Sequence, residues 1–153
     1  MTYEKQDAQD RYLSKQALFE LTAFHDAMQD AFDVHFARHG LSEPKFKVLI
    51  HLYMSGDQGL IQSELGTKLQ VSRANITGLV ERLEKEGLVV RNNDASDKRV
   101  FRVRLTNRAF ALMHSFLPIH NDFMYKVVTA LNNNEKELLI SLLKKLNKGL
   151  ESI

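Results

Sequence analysis

The chain contains no cysteine and no tryptophan. Without cysteine there is no disulfide, no thiolate nucleophile, no Cys-ligated zinc and no peroxide-sensing thiol. Proline occurs only at Pro44 and Pro118, and no glycine precedes Gly40, which favours long unbroken helices. Long apolar runs are missing as well. The longest, Val48 to Met54, is broken by His51 and falls far short of the roughly 20 residues that span a bilayer. The polar, acidic start from Met1 to Asp10 is followed by no apolar segment of a signal peptide, so a cytoplasmic protein without a membrane partner is expected. Net charge is small, 21 Lys and Arg against 19 Asp and Glu, and singles out no partner. What is there is 153 residues, 44% of them hydrophobic. At about 100–200 residues per domain this makes one compact unit or two small interlocked ones, long enough to fold without staples.

The charges are unevenly placed. Residues 1–40 hold four basic residues and seven acidic ones, whereas residues 91–104 hold five basic residues (Arg91, Lys98, Arg99, Arg102, Arg104) against Asp94 and Asp97. A basic block in a near-neutral chain is a candidate nucleic-acid surface, and a solvated strand face is the plainer explanation of the block taken alone.

Apolar residues at Ala17, Leu21, Phe24, Met28 and Ala31 step by fours and threes, predicting a long amphipathic helix over about 13–36 that stops near Gly40. Ser42 is placed to cap a second helix, with Pro44 in its first turn, and residues 55–59 read as a loop. A short helix follows from Gln62 to Leu69. Ser72 is a strong N-cap for the next, which runs to Glu86 and stops at Gly87. Leu88 to Asn92 and Val100 to Leu105 read as strands joined by a turn-rich tip. Phe101, Val103 and Leu105 there alternate with Arg102 and Arg104, giving an apolar and a basic face. Thr106 caps a long helix that continues past Pro118. Asn134 with Glu137 resembles a capping box for a last helix carrying Leu138, Leu142, Leu146 and Leu150.

Two helices joined by a few residues, the second followed by a basic hairpin, form a winged helix-turn-helix pattern. Residues 73–85 place Ile76, Leu79, Val80 and Leu83 on one side and Ala74, Thr77, Gly78, Glu81 and Lys85 on the other. Arg73 and Asn75 flank that slim polar face. A major groove admits such a helix and is read by Arg, Asn, Thr and Ala. The helix N-terminus also offers free N–H groups to a phosphate.

The run QSELGTKLQVSRANITGLVERLEKEGLVVRNNDASDKRVFRVRLT, Gln62 to Thr106, resembles the MarR family of bacterial transcriptional regulators. The resemblance is most specific at Asp97-Lys98-Arg99 and at Val103-Arg104-Leu105-Thr106, and the order of flanking helices fits over nearly the whole chain. Ile61 departs from the family pattern where a Thr or Ser cap is usual, and Ala109 where Gly is common. The resemblance implies a mainly α fold with a small β-hairpin wing. Residues 1–40 and 106–153 would be dimerisation helices, and 41–105 a DNA-binding domain. It implies a homodimeric repressor on a pseudo-palindromic operator in double-stranded DNA. Ser72, Arg73, Asn75, Thr77, Arg82, Lys98, Arg99 and Arg102 would lie at or near the DNA, Arg99 in the minor groove, and Asp97 would orient the wing by pairing with an Arg. It also implies relief by a small molecule held between the dimer helices and the winged domain.

Other functions have less behind them. No glycine-rich phosphate loop, nucleophile elbow or acid–base pair is present, so neither an enzyme nor a cofactor is expected. His35 and His39 stand four apart, a spacing zinc uses, so a zinc-responsive regulator of the same fold is the alternative. No second spaced pair completes a site, and no metal ligand is assigned. A winged helix that binds only protein would not need a basic wing. The effector-binding residues are unknown. Phe24, Phe32, Phe36, Phe46, Phe116 and Phe123, with Met28, Tyr53 and Met113, would suit a small aromatic ligand, and Arg11, His25 or His51 its carboxylate. The plainer expectation for each apolar one is a place in the core.

Overall fold

A computed structural model describes residues 2–94 and 97–152, with side chains from residue 7 onward. Its elements are α1 (Thr2–Ala37), α2 (Glu43–Ser55), β1 (Leu60–Ile61), α3 (Gln62–Leu69), α4 (Arg73–Lys85), β2 (Val89–Asn93), β3 (Phe101–Leu105), α5 (Asn107–Val127) and α6 (Asn133–Leu150), with a 3₁₀ turn at Gly56–Gln58. The fold is the mainly helical one, with a small antiparallel wing, that the sequence predicts. Ala95 and Ser96, at the tip of the expected turn, lie outside the described residues. The chain divides into two compact units, one ending at Met113 and the other beginning at His114.

In the first unit, α1 begins well before its apolar stripe does. Residues 2–16 are mostly polar and contain neither Gly nor Pro, and an i,i+4 ion pair between Arg11 and Asp7 (3.1 Å) supports them. The helix ends in a Schellman motif. The Leu41 N–H reaches Phe36 O and the Gly40 N–H reaches Ala37 O, with Phe36 and Leu41 both buried. Ser42 occupies the N-cap of α2, but its side chain makes no capping bond. Pro44 near the helix start removes one donor that would need a cap. Lys47 (2.6 Å) and Gln29 (2.9 Å) bind the Glu43 carboxylate and hold it below its ordinary range.

The helix-turn-helix core is α2, α3 and α4 against the sheet. Val48, Leu49, Leu52, Leu65, Ile76, Val80, Leu83, Val89 and Val103 are all but fully buried, each worth about 1.5–3 kcal/mol of transfer free energy. The turn between α3 and α4 is another Schellman motif, with the Val71 N–H on Gly66 O and the Gln70 N–H on Thr67 O. Its left-handed position is held by Gln70, at φ 54°, rather than by a glycine. Gly87 ends α4 in the same way, at φ 69°, with the Leu88 N–H on Leu83 O.

The sheet has a third strand, at two residues between the expected loop at 55–59 and the helix from Gln62. β1 pairs with β3 at Leu60↔Val103 and Ile61↔Arg102, on the edge opposite β2. Gly59 leads into it so closely that a Cβ there would stand 2.2 Å from Val103 O, and only glycine fits. Thr106 closes the wing onto α5. Its hydroxyl donates to Gly87 O (2.8 Å) and accepts from the Ala109 N–H (3.1 Å).

In the second unit, α5 runs on through Pro118 to Val127. The expected capping box of α6 lies two residues earlier. Asn132 accepts from the Glu135 N–H (3.1 Å) and Glu135 accepts from the Asn132 N–H (2.8 Å). Asn132–Glu135 and Asn134–Glu137 have equal spacing, and capping at the earlier pair adds two residues to the helix. Phe116 stacks on His120, and burial pushes the His120 imidazole below its ordinary range.

Candidate nucleic-acid interface

The polar side of α4 is built as its periodicity implies. The Ser72 hydroxyl accepts from the Asn75 N–H (3.2 Å), satisfying one of the donors every helix start leaves open. Ile76, Leu79, Val80 and Leu83 are buried, which turns Ala74 outward and leaves Ser72, Arg73, Asn75, Arg82 and Lys85 exposed. Neither Arg73 nor Arg82 has an ion-pair partner among the described residues. Thr77 is half-buried. Its hydroxyl donates to Arg73 O (2.8 Å) and accepts from Gln62 Nε2 (2.9 Å). Gln62, the first residue of α3, stands 15 positions away, and no spacing rule points to it.

The basic block of the wing is largely consumed within the fold. Arg91 on β2 reaches Glu84 (3.1 Å) and Glu81 (3.8 Å) on α4 and lies over the Phe101 ring. Arg104 donates to Asp57 O (2.9 Å), tying β3 to the 3₁₀ turn. Arg102, expected at the DNA, binds Asp94 (2.6 Å), a carboxylate only 5% exposed, and its Nη1 lies 3.3 Å from Gln58 O. A buried charged carboxylate is stabilised by a cation, and Arg102, paired with Asn92, is the diagonal neighbour of Asp94 across the hairpin. Its charge therefore braces the wing, and the basic face expected on β3 is not an open one. The eight-residue separation of Asp94 and Arg102 across a hairpin was the available signal.

Lys98 and Arg99 remain outward. The Arg99 side chain is 90% exposed, yet it is not loose. Asp97 accepts from its backbone N–H (2.9 Å), from Nε (3.1 Å) and from Nη2 (3.2 Å). These bonds hold the Asp97 carboxyl below the usual carboxylate range, the side-chain bond first. A groove of about 460 Å³ separates this side chain from the helix-turn-helix, lined by Gln62, Thr67, Arg73, Arg99 and Phe101 among others. The wing-tip guanidinium and the N-terminal end of α4 thus share one face of the unit.

The residues considered for other roles are placed differently. The rings of His35 and His39 are neighbours, 5.6 Å between centroids, but no group of three or more His, Asp or Glu that could hold a metal occurs among the described residues. Phe36, Met113 and Phe116 are wholly buried. No helix among the described residues is long and apolar enough to cross a membrane.

The sequence profile described as the MarR family matches residues 41–101. The HTH-type transcriptional repressor YetL of Bacillus subtilis is 34% identical over 116 residues, covering 76% of this chain and 70% of YetL. The HTH-type transcriptional regulator MhqR of the same organism is 30% identical over 125 residues, covering 82% and 85%. Among solved structures, the crystal structure of the S. aureus MepR–DNA complex superposes with a TM-score of 0.74 at 25% identity, covering 90% of this chain and 97% of MepR.

Proposed function

The chain belongs to the MarR family, whose members are transcription regulators and not enzymes, and on that premise we propose that it is a repressor that binds a pseudo-palindromic operator as a homodimer. Residues 41–105 form the DNA-binding body, with residues 1–40 and 106–153 as dimerisation helices. α4 enters the major groove and presents Arg73, Asn75 and Thr77, with Ser72 and Arg82 beside the backbone. Arg99 enters the minor groove from the wing, with Lys98 at the phosphates, while Asp97 aims it. Half-sites then lie about 10 bp apart, one turn of the duplex.

One observation carries this reading: an exposed guanidinium braced by Asp97 on the same face as the capped, small-residue end of α4. The test is anisotropy titration with a duplex selected from random DNA. Arg99→Ala should weaken binding to many sequences and lower the salt slope by about one unit, leaving the melting temperature unchanged. Wild-type affinity and slope in that variant would remove Arg99 from the interface.

The dimer is supported by exposed apolar faces. Leu13, Leu18 and Phe19 on α1 and Leu138, Leu142, Leu146 and Leu150 on α6 are all exposed, more than a soluble monomer ordinarily leaves in water. Relief by a small aromatic carboxylate is the finer part of the proposal. It is supported by a run of aromatic rings from Phe32 through Phe36 to Phe46, at 6.0 and 5.1 Å, of which Phe32 and Phe46 are only partly buried. Such a ligand acts only if it favours the arrangement that cannot bind DNA. Millimolar salicylate should raise the melting temperature and weaken operator binding, and no change in either would discard it.

A further inference from the structure

The hydroxyl proton of Thr77 is already engaged inside the protein. Its proton goes to Arg73 O at 2.8 Å and one lone pair receives Gln62 Nε2 at 2.9 Å. The other amide atom of Gln62, Oε1, is buried without a hydrogen-bond partner among the described residues, so Thr77 alone orients this amide. Turning the amide over would offer the hydroxyl a second place to donate, Gln62 Oε1, and would still leave no proton for a ligand. In this arrangement Thr77 has no proton left to donate to a base. Guanine shows two acceptors in the major groove, N7 and O6, and needs a donor, whereas thymine adds to its O4 acceptor a methyl group that packs against another methyl without any proton. The one lone pair left on the hydroxyl could accept only from adenine N6–H or cytosine N4–H, a contact that leaves no deoxyuridine penalty. The neighbourhood has the same character: Ala74 is exposed, and the space beside Gly78 is open.

We propose that Thr77 reads a thymine through methyl contact, and that Gln62 is a positioning residue that favours this by donating to the hydroxyl oxygen and so keeping its proton on Arg73 O. This rests on α4 being the helix that enters the major groove. It adds the base that the middle of the helix selects and a residue, on another helix, that sets the selection. Arg73, one turn before, keeps the hydrogen-bond donors, so the polar and apolar parts of recognition lie at different heights on α4.

The experiment replaces each thymine of a selected duplex by deoxyuridine, which lacks only the 5-methyl group. At one or more positions in each half-site wild type should lose about fourfold in affinity, the worth of one buried methyl group. Thr77→Ser keeps the hydroxyl and removes the methyl, so the uridine penalty at such a position should vanish. Thr77→Val keeps a methyl and should retain it. Because each comparison is a ratio of two duplexes on one protein, a general loss of stability cancels. Gln62→Met removes one restraint on the hydroxyl and should narrow the preference for that thymine over guanine several-fold. Tight binding by wild type with no uridine penalty anywhere, or penalties that all persist in Thr77→Ser, would overturn the methyl contact. An unchanged thymine–guanine preference in Gln62→Met would overturn the part given to Gln62. Absence of any duplex binding by wild type is a separate result, and would sink the DNA-binding reading itself.

Discussion

Helices α4 and α6 start alike and end up in different surroundings. Each begins with a satisfied cap, Ser72 in one and Asn132 with Glu135 in the other, and each carries a clean apolar stripe. On α4 the stripe of Ile76, Leu79, Val80 and Leu83 is buried, against α2, α3 and β2. On α6 the leucines at 138, 142, 146 and 150 are exposed, and no residue of the helix is buried. Local chemistry does not separate the two. A stripe states that a face needs cover, and the remainder of the chain decides whether the cover comes from within.

The sharpest way to break this comparison is to damage both stripes. Leu83→Ala should cost about 2–5 kcal/mol in denaturant unfolding, because a covered leucine leaves a cavity. Leu142→Asp with Leu146→Asp should instead change assembly, converting a dimer mass to a monomer mass in light scattering at micromolar concentration. A wild type already monomeric there, or a double variant that keeps the dimer mass, would show that the α6 stripe needs no second copy.

A smaller effect separates the two kinds of charge in the wing. Asp94→Ala leaves Arg102 without its buried partner and should cost about 1–3 kcal/mol of stability, discounted because the Arg102 side chain is 25% exposed. Arg99→Ala should leave unfolding unaltered while weakening DNA binding. If both variants unfold like wild type, the division into a bracing and a DNA-facing arginine fails.

The caps give a smaller effect again. Ser72→Ala should lower stability by about 1 kcal/mol through loss of its bond to the Asn75 N–H. A much larger loss would mean that Ser72 does more than cap.

The smallest effect belongs to His120. Burial lowers its folded pKa below the ordinary 6.5, so the unfolded chain takes up the proton first as pH falls. The contribution is therefore complete above about pH 6.5 and drains away as pH drops below it. The difference in melting temperature between pH 8 and pH 5.5 should shrink in His120→Gln. An unchanged difference would place the pH dependence on other groups.

Much of the winged domain was legible because its signals are local. Ser72, Gly87 with Leu88, and the four-residue stripe of α4 each act within a turn or two, so helix boundaries there agree with expectation. β1 was missed because two residues, Leu60 and Ile61, have no periodicity to read. They become a strand only when Val103 and Arg102 lie beside them. α1 starts well before its apolar stripe because a stripe marks the part of a helix that needs cover, and helix formation itself continues through a run without Gly or Pro. Thr77 was found as a candidate from its place on α4, whereas Gln62, which shares its hydroxyl, was invisible because the two are joined only across the helix-turn-helix.

The sequence by itself determined the order of helices, the turn that joins α3 to α4, the wing that follows, and the absence of any thiol chemistry. These depend on hydrogen-bonding and conformational preferences that act over a few residues. Only the tertiary structure decided which of five basic wing residues are available to a partner. Arg91, Arg102 and Arg104 look no different from Lys98 and Arg99 in a list of charges. Three of them meet a carboxylate or a carbonyl supplied by α4, by the residue that follows β2 at the tip end of the hairpin, or by the 3₁₀ turn. A charge is satisfied by whatever lies within a few ångströms of it, and chain folding alone brings those groups within reach.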